Sequence, residues 1–116
     1  MKITFLTLFP EIFTPVLAVS ILGRAQKKGL VEYEIVNIRD FGIGSHQIVD
    51  DTPYGGGVGM VLKPEVLTAA LQSVKTKASH VILTSASGIP YTQVKAKKYV
   101  QLEHLIVVCG HYEGVD

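Results

Sequence analysis

The sequence predicts an α/β protein built on a mostly parallel sheet flanked by helices. Short apolar runs of strand length alternate with stretches of helical character, and such alternation builds parallel sheets. Apart from the second, the runs are mostly apolar rather than apolar at every second position, as expected of strands covered on both faces. The length, 116 residues, suits one domain.

"KITFLTLF" (2–9) reads as the first strand, β-branched and aromatic, and ended by Pro10. "EIFTPVLAVSILGRAQKKG" (11–29) follows as helix. Pro15 is expected to divide it, and Gly29 after Lys27-Lys28 to stop it. "VEYEIVNI" (31–38) alternates as a second strand. The next stretch, residues 39–60, is a long glycine-rich connection with little periodicity, and long loops in compact domains are usually functional or disordered. Pro64 opens a helix over 64–77, with basic residues near its end. "SHVILTSA" (79–86) is the third strand. Residues 87–101 hold a turn and a helix, and "HLIVVCG" (104–110) is the fourth strand.

Composition narrows the classes. The chain is 47% hydrophobic and only 18% charged, apolar for a small domain, so part of its surface is expected to meet a partner or further chain. Eleven Lys+Arg against ten Asp+Glu give a net charge of +1. That is no polybasic binder, and nucleic-acid affinity would need a local patch or another domain. The single cysteine, Cys109, excludes an internal disulfide and fits a reducing cytoplasm. The apolar run from Ile3 to Phe9 is cut by Pro10-Glu11, which argues against a signal peptide or membrane span.

Ligands of open α/β sheets sit beyond the carboxyl ends of the strands. Two such ends carry small residues here, "TSASG" (84–88) and "GHYEGVD" (110–116). Small residues let backbone amides and carbonyls approach a ligand. Neither a dinucleotide fingerprint nor a Walker loop is present. Taken singly, each feature has a plainer reading. Glycines at strand ends are mostly turn residues. Asp50 and Asp51 can turn or cap the chain, and Arg24, Lys27 and Lys28 can be solvated. His46, His80, His104 and His111 lack metal-ligand spacing, and no metal site is expected from them. Cys109 reads as core.

In combination the motifs are far more specific. "LFPEIF" (8–13), "GRA" (23–25), "VDDTPYGGGVGM" (49–60) and "VCGHYEGVD" (108–116) occur in one order along the whole chain. This closely resembles the amino-terminal portion of the bacterial tRNA (guanine-N1)-methyltransferases, of the SPOUT class of knotted methyltransferases. The resemblance implies an S-adenosylmethionine-dependent enzyme, cytoplasmic and homodimeric. It would methylate N1 of the guanosine 3′ of the anticodon in tRNA. It also implies a trefoil knot, incomplete in residues 1–116. Cofactor-binding positions carry over to Leu83, Thr84, Ser85, Gly88, Gly110, Tyr112, Glu113 and Gly114. Glu113 is left open between the cofactor's amine, the path of the methyl and a Mg²⁺ ion. A loop approaching the substrate guanine from the partner subunit carries over to Asp50, Pro53, Tyr54, Gly55, Gly56, Gly57, Val58 and Gly59.

Two positions depart from the family's pattern. Ser85-Ala86-Ser87-Gly88 stands where Ser-Pro-x-Gly is frequent, and Val58 where Pro or Ala is frequent. The aspartate expected as general base and its arginine partner fall beyond Asp116, as does the tRNA-gripping carboxy-terminal domain. No catalytic residue is therefore assigned here, and residues 1–116 alone are expected to be inactive. The alternative is a non-catalytic α/β module for cofactor binding or dimerisation.

Overall fold

The computed structural model describes residues 1–44, 63–84 and 93–109, and the backbone of 50–51 and 61–62. Six strands and four α-helices are described: β1 (Lys2–Thr7), α1 (Phe13–Leu17), α2 (Ser20–Lys27), β2 (Glu32–Asn37), β3 (Asp50–Asp51), β4 (Val61–Leu62), α3 (Pro64–Val74), β5 (Ser79–Leu83), α4 (Gln93–Tyr99) and β6 (His104–Val108). Short 3₁₀ turns precede α1 and follow β2. Four strands form one all-parallel sheet in the order β2-β1-β6-β5, and β3 pairs antiparallel with β4. The predicted parallel α/β sheet is thus what forms, with each strand shorter at its carboxyl end than its apolar run.

Strand alternation sorts the core onto two faces. Leu6, Ile106 and Val108 point to one face, where α3 lays Val66 and Ala70 against them, together with Leu8 and Ile38. Leu6, Ile38, Ile106, Val66 and Val108 are at most 2% exposed. The opposite face carries Phe5 and Tyr33. Phe13 of α1 stacks on Phe5 at 4.9 Å, and the Tyr33 hydroxyl donates to the Leu22 carbonyl of α2. His80 of β5 meets Tyr99 of α4 on this same face, with ring centroids 5.5 Å apart. The steps β1 to β2 and β5 to β6 run one way with helices on this face. The step from β2 to β5 runs the other way with α3 on the opposite face. All three crossovers therefore share one hand, the uniformity that strand twist imposes.

A chain of side-chain hydrogen bonds crosses the four strands near their amino ends. Thr4 Oγ1 donates to Glu34 Oε1 at 2.9 Å and lies 2.7 Å from His104 Nε2. His104 Nδ1 lies 2.7 Å from Ser79 Oγ. A hydroxyl has one proton, and Thr4 gives it to the carboxylate, so Nε2 must carry the hydrogen that points at Thr4. In the neutral ring Nδ1 is then the acceptor, and Ser79 donates to it. Thr4 and His104 are buried, and this pairing satisfies both.

The helix boundaries bear out some expectations and correct others. Gly29, at φ +75°, ends α2 as predicted. Leu30 N–H reaches the Ala25 carbonyl and Gly29 N–H the Gln26 carbonyl, the paired bonds of a Schellman cap. The division of residues 11–29 is real, but it falls at Val19-Ser20 and not at Pro15. Pro15 is the third residue of α1, where a backbone N–H has no partner within the helix, so the ring costs no hydrogen bond. Ser20 takes φ +55°, and Gly23 passes so near Ala18 that a Cβ there would lie 2.4 Å from its carbonyl oxygen. Pro64 is at the start of α3 as expected. That helix stops at Val74, however, and Lys75 and Lys77 lie beyond its last turn.

Candidate functional site

The carboxyl ends of β5 and β6 lie side by side. Leu83 is in register with Val108, and Val108 is in register with Leu6 of β1. The backbone N–H and Oγ1 of Thr84 both donate to the Val108 carbonyl, at 3.0 and 3.1 Å. Cys109 N–H continues the ladder on the other side, to the Leu6 carbonyl at 2.9 Å. The two glycine-bearing segments singled out in the sequence, 85–88 and 110–114, therefore depart from adjacent strand ends. Their departure point is the carboxyl edge of the sheet, at β5 and its neighbour β6. Ligands of open α/β sheets bind at such a point.

Of the predicted cofactor positions, Leu83 and Thr84 are described. Leu83 is an apolar side chain held 50% exposed at a strand end. Ser85, Gly88, Gly110, Tyr112, Glu113 and Gly114 lie outside the described residues. So do Pro53, Tyr54, Gly55, Gly56, Gly57, Val58 and Gly59 of the predicted substrate loop. Asp50 is described in its backbone alone, paired across from Leu62. The antiparallel rungs Asp50–Leu62 and Asp51–Val61 bring the two ends of the glycine-rich segment together.

The Cys109 thiol is half-buried, one residue past β6, rather than in the core. Burial pushes its pKa above the ordinary value of 9.0, which disfavours the thiolate and with it a nucleophilic role. His104, read from sequence as structural, is structural: both ring nitrogens are engaged within the sheet. Among the described residues no group of His, Cys, Asp and Glu could hold a metal ion. No helix there is long and apolar enough to cross a membrane.

The family described as tRNA (Guanine-1)-methyltransferase TrmD matches the sequence over residues 1–116, its whole length. The chain belongs to this TrmD family. Curated relatives agree with the match. The chain is 53% identical to the tRNA (guanine-N(1)-)-methyltransferase of Brevibacillus brevis over 117 residues, covering all of this chain and 48% of that protein. It is 49% identical to the protein of the same name from Bacillus subtilis, of which it covers 49%. It is 50% identical to that of Mycoplasma pneumoniae, of which it covers 50%. The chain thus spans about half the length of the curated TrmD relatives it matches, and the resemblance read from four motifs holds from end to end.

Proposed function

We propose that this chain is the cofactor-binding half of a tRNA (guanine-N1)-methyltransferase, which transfers a methyl group from S-adenosylmethionine to N1 of the guanosine 3′ of the anticodon. The observation that carries the reading is the adjacency of Leu83-Thr84 and Val108-Cys109 at the carboxyl edge of the parallel sheet, in a chain matched over its whole length by the TrmD family. Residues 83–88 and 110–114 would hold the cofactor. The exposed apolar surface of Leu83 suits one side of an adenine slot, and Thr84 pins the start of its segment to β6. When bound, S-adenosylmethionine supplies an electrophilic methyl on a sulfonium.

Guanine N1 carries a proton at neutral pH, and that proton must leave as N1 attacks. The reaction needs a base within hydrogen-bond reach of N1 and an alignment that points N1 at the methyl. Reading the Watson–Crick edge requires the guanine to be unstacked. In this reading Asp50 orders the glycine-rich loop, while residues 53–59 pass the flat base without a Cβ at four positions.

A homodimer completes the proposal. Its support is the row of apolar side chains left exposed around α1 and α2, including Ile12, Val16, Val19 and Ile21. Sedimentation equilibrium of the full gene product should return twice the chain mass. A cytoplasmic location is part of this reading, since a tRNA-modifying enzyme acts where tRNA is and one cysteine in 116 residues fits a reducing compartment.

The direct test incubates the full gene product with unmodified tRNA transcript and methyl-labelled S-adenosylmethionine. Label should appear at N1 of the guanosine 3′ of the anticodon, seen as a primer-extension stop. No transfer to any tRNA would overturn the proposal.

A further inference from the structure

The net charge of +1 hides a separation of charge along the strand axis. Every helix of the parallel sheet runs back against its strands, so the carboxyl ends of α2, α3 and α4 gather at the amino edge of the sheet. Lysines gather with them: Lys27 and Lys28 at the end of α2, Lys75 and Lys77 past α3, Lys97 and Lys98 at the end of α4. All six are exposed. The carboxylates of the same edge are Glu32, Glu103 and Glu34, the last paired with Lys2 at 3.6 Å. Setting that pair aside, these six lysines face two carboxylates among the described residues, an excess of four. At the carboxyl edge the described residues are close to balance, with Arg39 and Lys63 against Glu11, Asp40 and Glu65.

Helix dipoles account for part of this pattern. A cation in the last turn stabilises a helix by about 0.3–1 kcal/mol, and the lysines of α2 and α4 are so placed. Lys75 and Lys77 are not, since α3 has no basic residue in its last turn. They line a groove of about 710 Å³ with Thr68, Leu71, Gln72 and Thr76. That lining holds two cations, three neutral polar side chains and no carboxylate. The groove at the other end of the same edge, about 560 Å³, contains Glu32 and Glu103. From β2 to β5 the edge is three strand spacings wide, about 14 Å.

We infer that the amino edge of the sheet, centred on the Lys75–Lys77 groove and extended by Lys97 and Lys98, touches the sugar-phosphate backbone of the tRNA. The inference rests on the function proposed above. Two ammonium groups in a groove without a carboxylate, with two more at the end of α4, fit a polyanion that is bound by charge and not by sequence. This is a local patch of the kind that the near-neutral composition left open, beside another domain, as a source of nucleic-acid affinity.

The test uses the full gene product and an unmodified tRNA transcript, with Kd followed by fluorescence anisotropy across about 50 to 200 mM salt. Replacing Lys75, Lys77, Lys97 and Lys98 together by alanine should weaken binding about tenfold or more at the low-salt end. It should also flatten the slope of log K against log salt by about 3, because each phosphate left without its lysine removes about 0.7 to 0.9 from the slope. Replacing the same four by arginine should retain both affinity and slope. An unchanged slope in the alanine variant, with the parent protein binding tRNA, overturns the phosphate interaction alone. So does an arginine variant as weak as the alanine one, since charge would then not be the cause. A parent protein that neither binds nor methylates tRNA overturns the proposed function as well.

Discussion

On the α3 side of the sheet, Leu6 and Ile106 are wholly buried and Val108 is 2% exposed. On the other side Leu105 and Leu17 are buried, but Ile21 is 73% exposed and Ile12, Val16 and Val19 are more than half exposed. The covering helices explain the contrast. α3 is one unbroken element of 11 residues, about 16 Å long, and it sets Val66 and Ala70 one turn apart over the sheet. The opposing cover is broken at Val19-Ser20 into five and eight residues, and α2 buries only Gly23. One face is therefore a finished core. The other is half core and half surface of the kind that marks an interaction site when it is contiguous.

Substitutions should separate the two faces by size of effect. Ile106→Ala empties the centre of the finished face and should cost about 2–5 kcal/mol, read as a lowered denaturant midpoint at unchanged slope. Gly23→Ala drives a methyl into the Ala18 carbonyl on the other face and should cost about 1–3 kcal/mol, because backbone and not a flexible side chain must yield. A melting temperature unchanged by Gly23→Ala would show that the break between α1 and α2 adjusts freely. Thr4→Val strands the His104 Nε2–H on the finished face and should cost about 1–2 kcal/mol. Long-range ¹H–¹⁵N correlation should find the His104 hydrogen on Nε2 in the parent, and the opposite tautomer would refute the bonding order inferred across the strands.

Ile21→Ser should change unfolding by no more than about 0.5 kcal/mol in a monomer, as surface changes do, while weakening self-association in sedimentation. If it unfolds the protein instead, α2 belongs to the core and the comparison of faces fails. The smallest effect is expected at Cys109. Its raised pKa keeps the thiol protonated, so alkylation near pH 8 should be slower than in denaturant. The sign for stability follows. Its contribution is present below the ordinary value of 9.0 and is lost as pH rises from there toward the higher folded value.

Much of this arrangement could be read from residues alone. Continuous apolar runs and the glycine after Lys27-Lys28 are local signals, and each produced the element expected. The break lies not at Pro15 but at Val19-Ser20, where Ser20 takes φ +55° and Gly23 passes close to the Ala18 carbonyl, an approach that nothing in the residue types announces. The bonds from Glu34 through Thr4 and His104 to Ser79 depend on the register of four strands, which no single strand encodes. The lysine edge was hidden for a similar reason: its charges come from three separate helix ends. The candidate cofactor site is legible only through combined motifs, and of its residues Leu83 and Thr84 lie at the carboxyl end of β5, beside β6.

The place of β6 in the sheet has a consequence for synthesis. It is the last of the four parallel strands to leave the ribosome, yet it lies between β1 and β5 and is the sole partner of β5 among the described residues. Until it emerges, β5 has nothing to pair with and the Ile106 side of the core is missing its centre. At about 5–20 residues per second, the roughly 25 residues from Leu83 to Val108 take on the order of 1–5 s. During that interval β1 and β5 have no strand between them, so the central position of the sheet is the last to be filled.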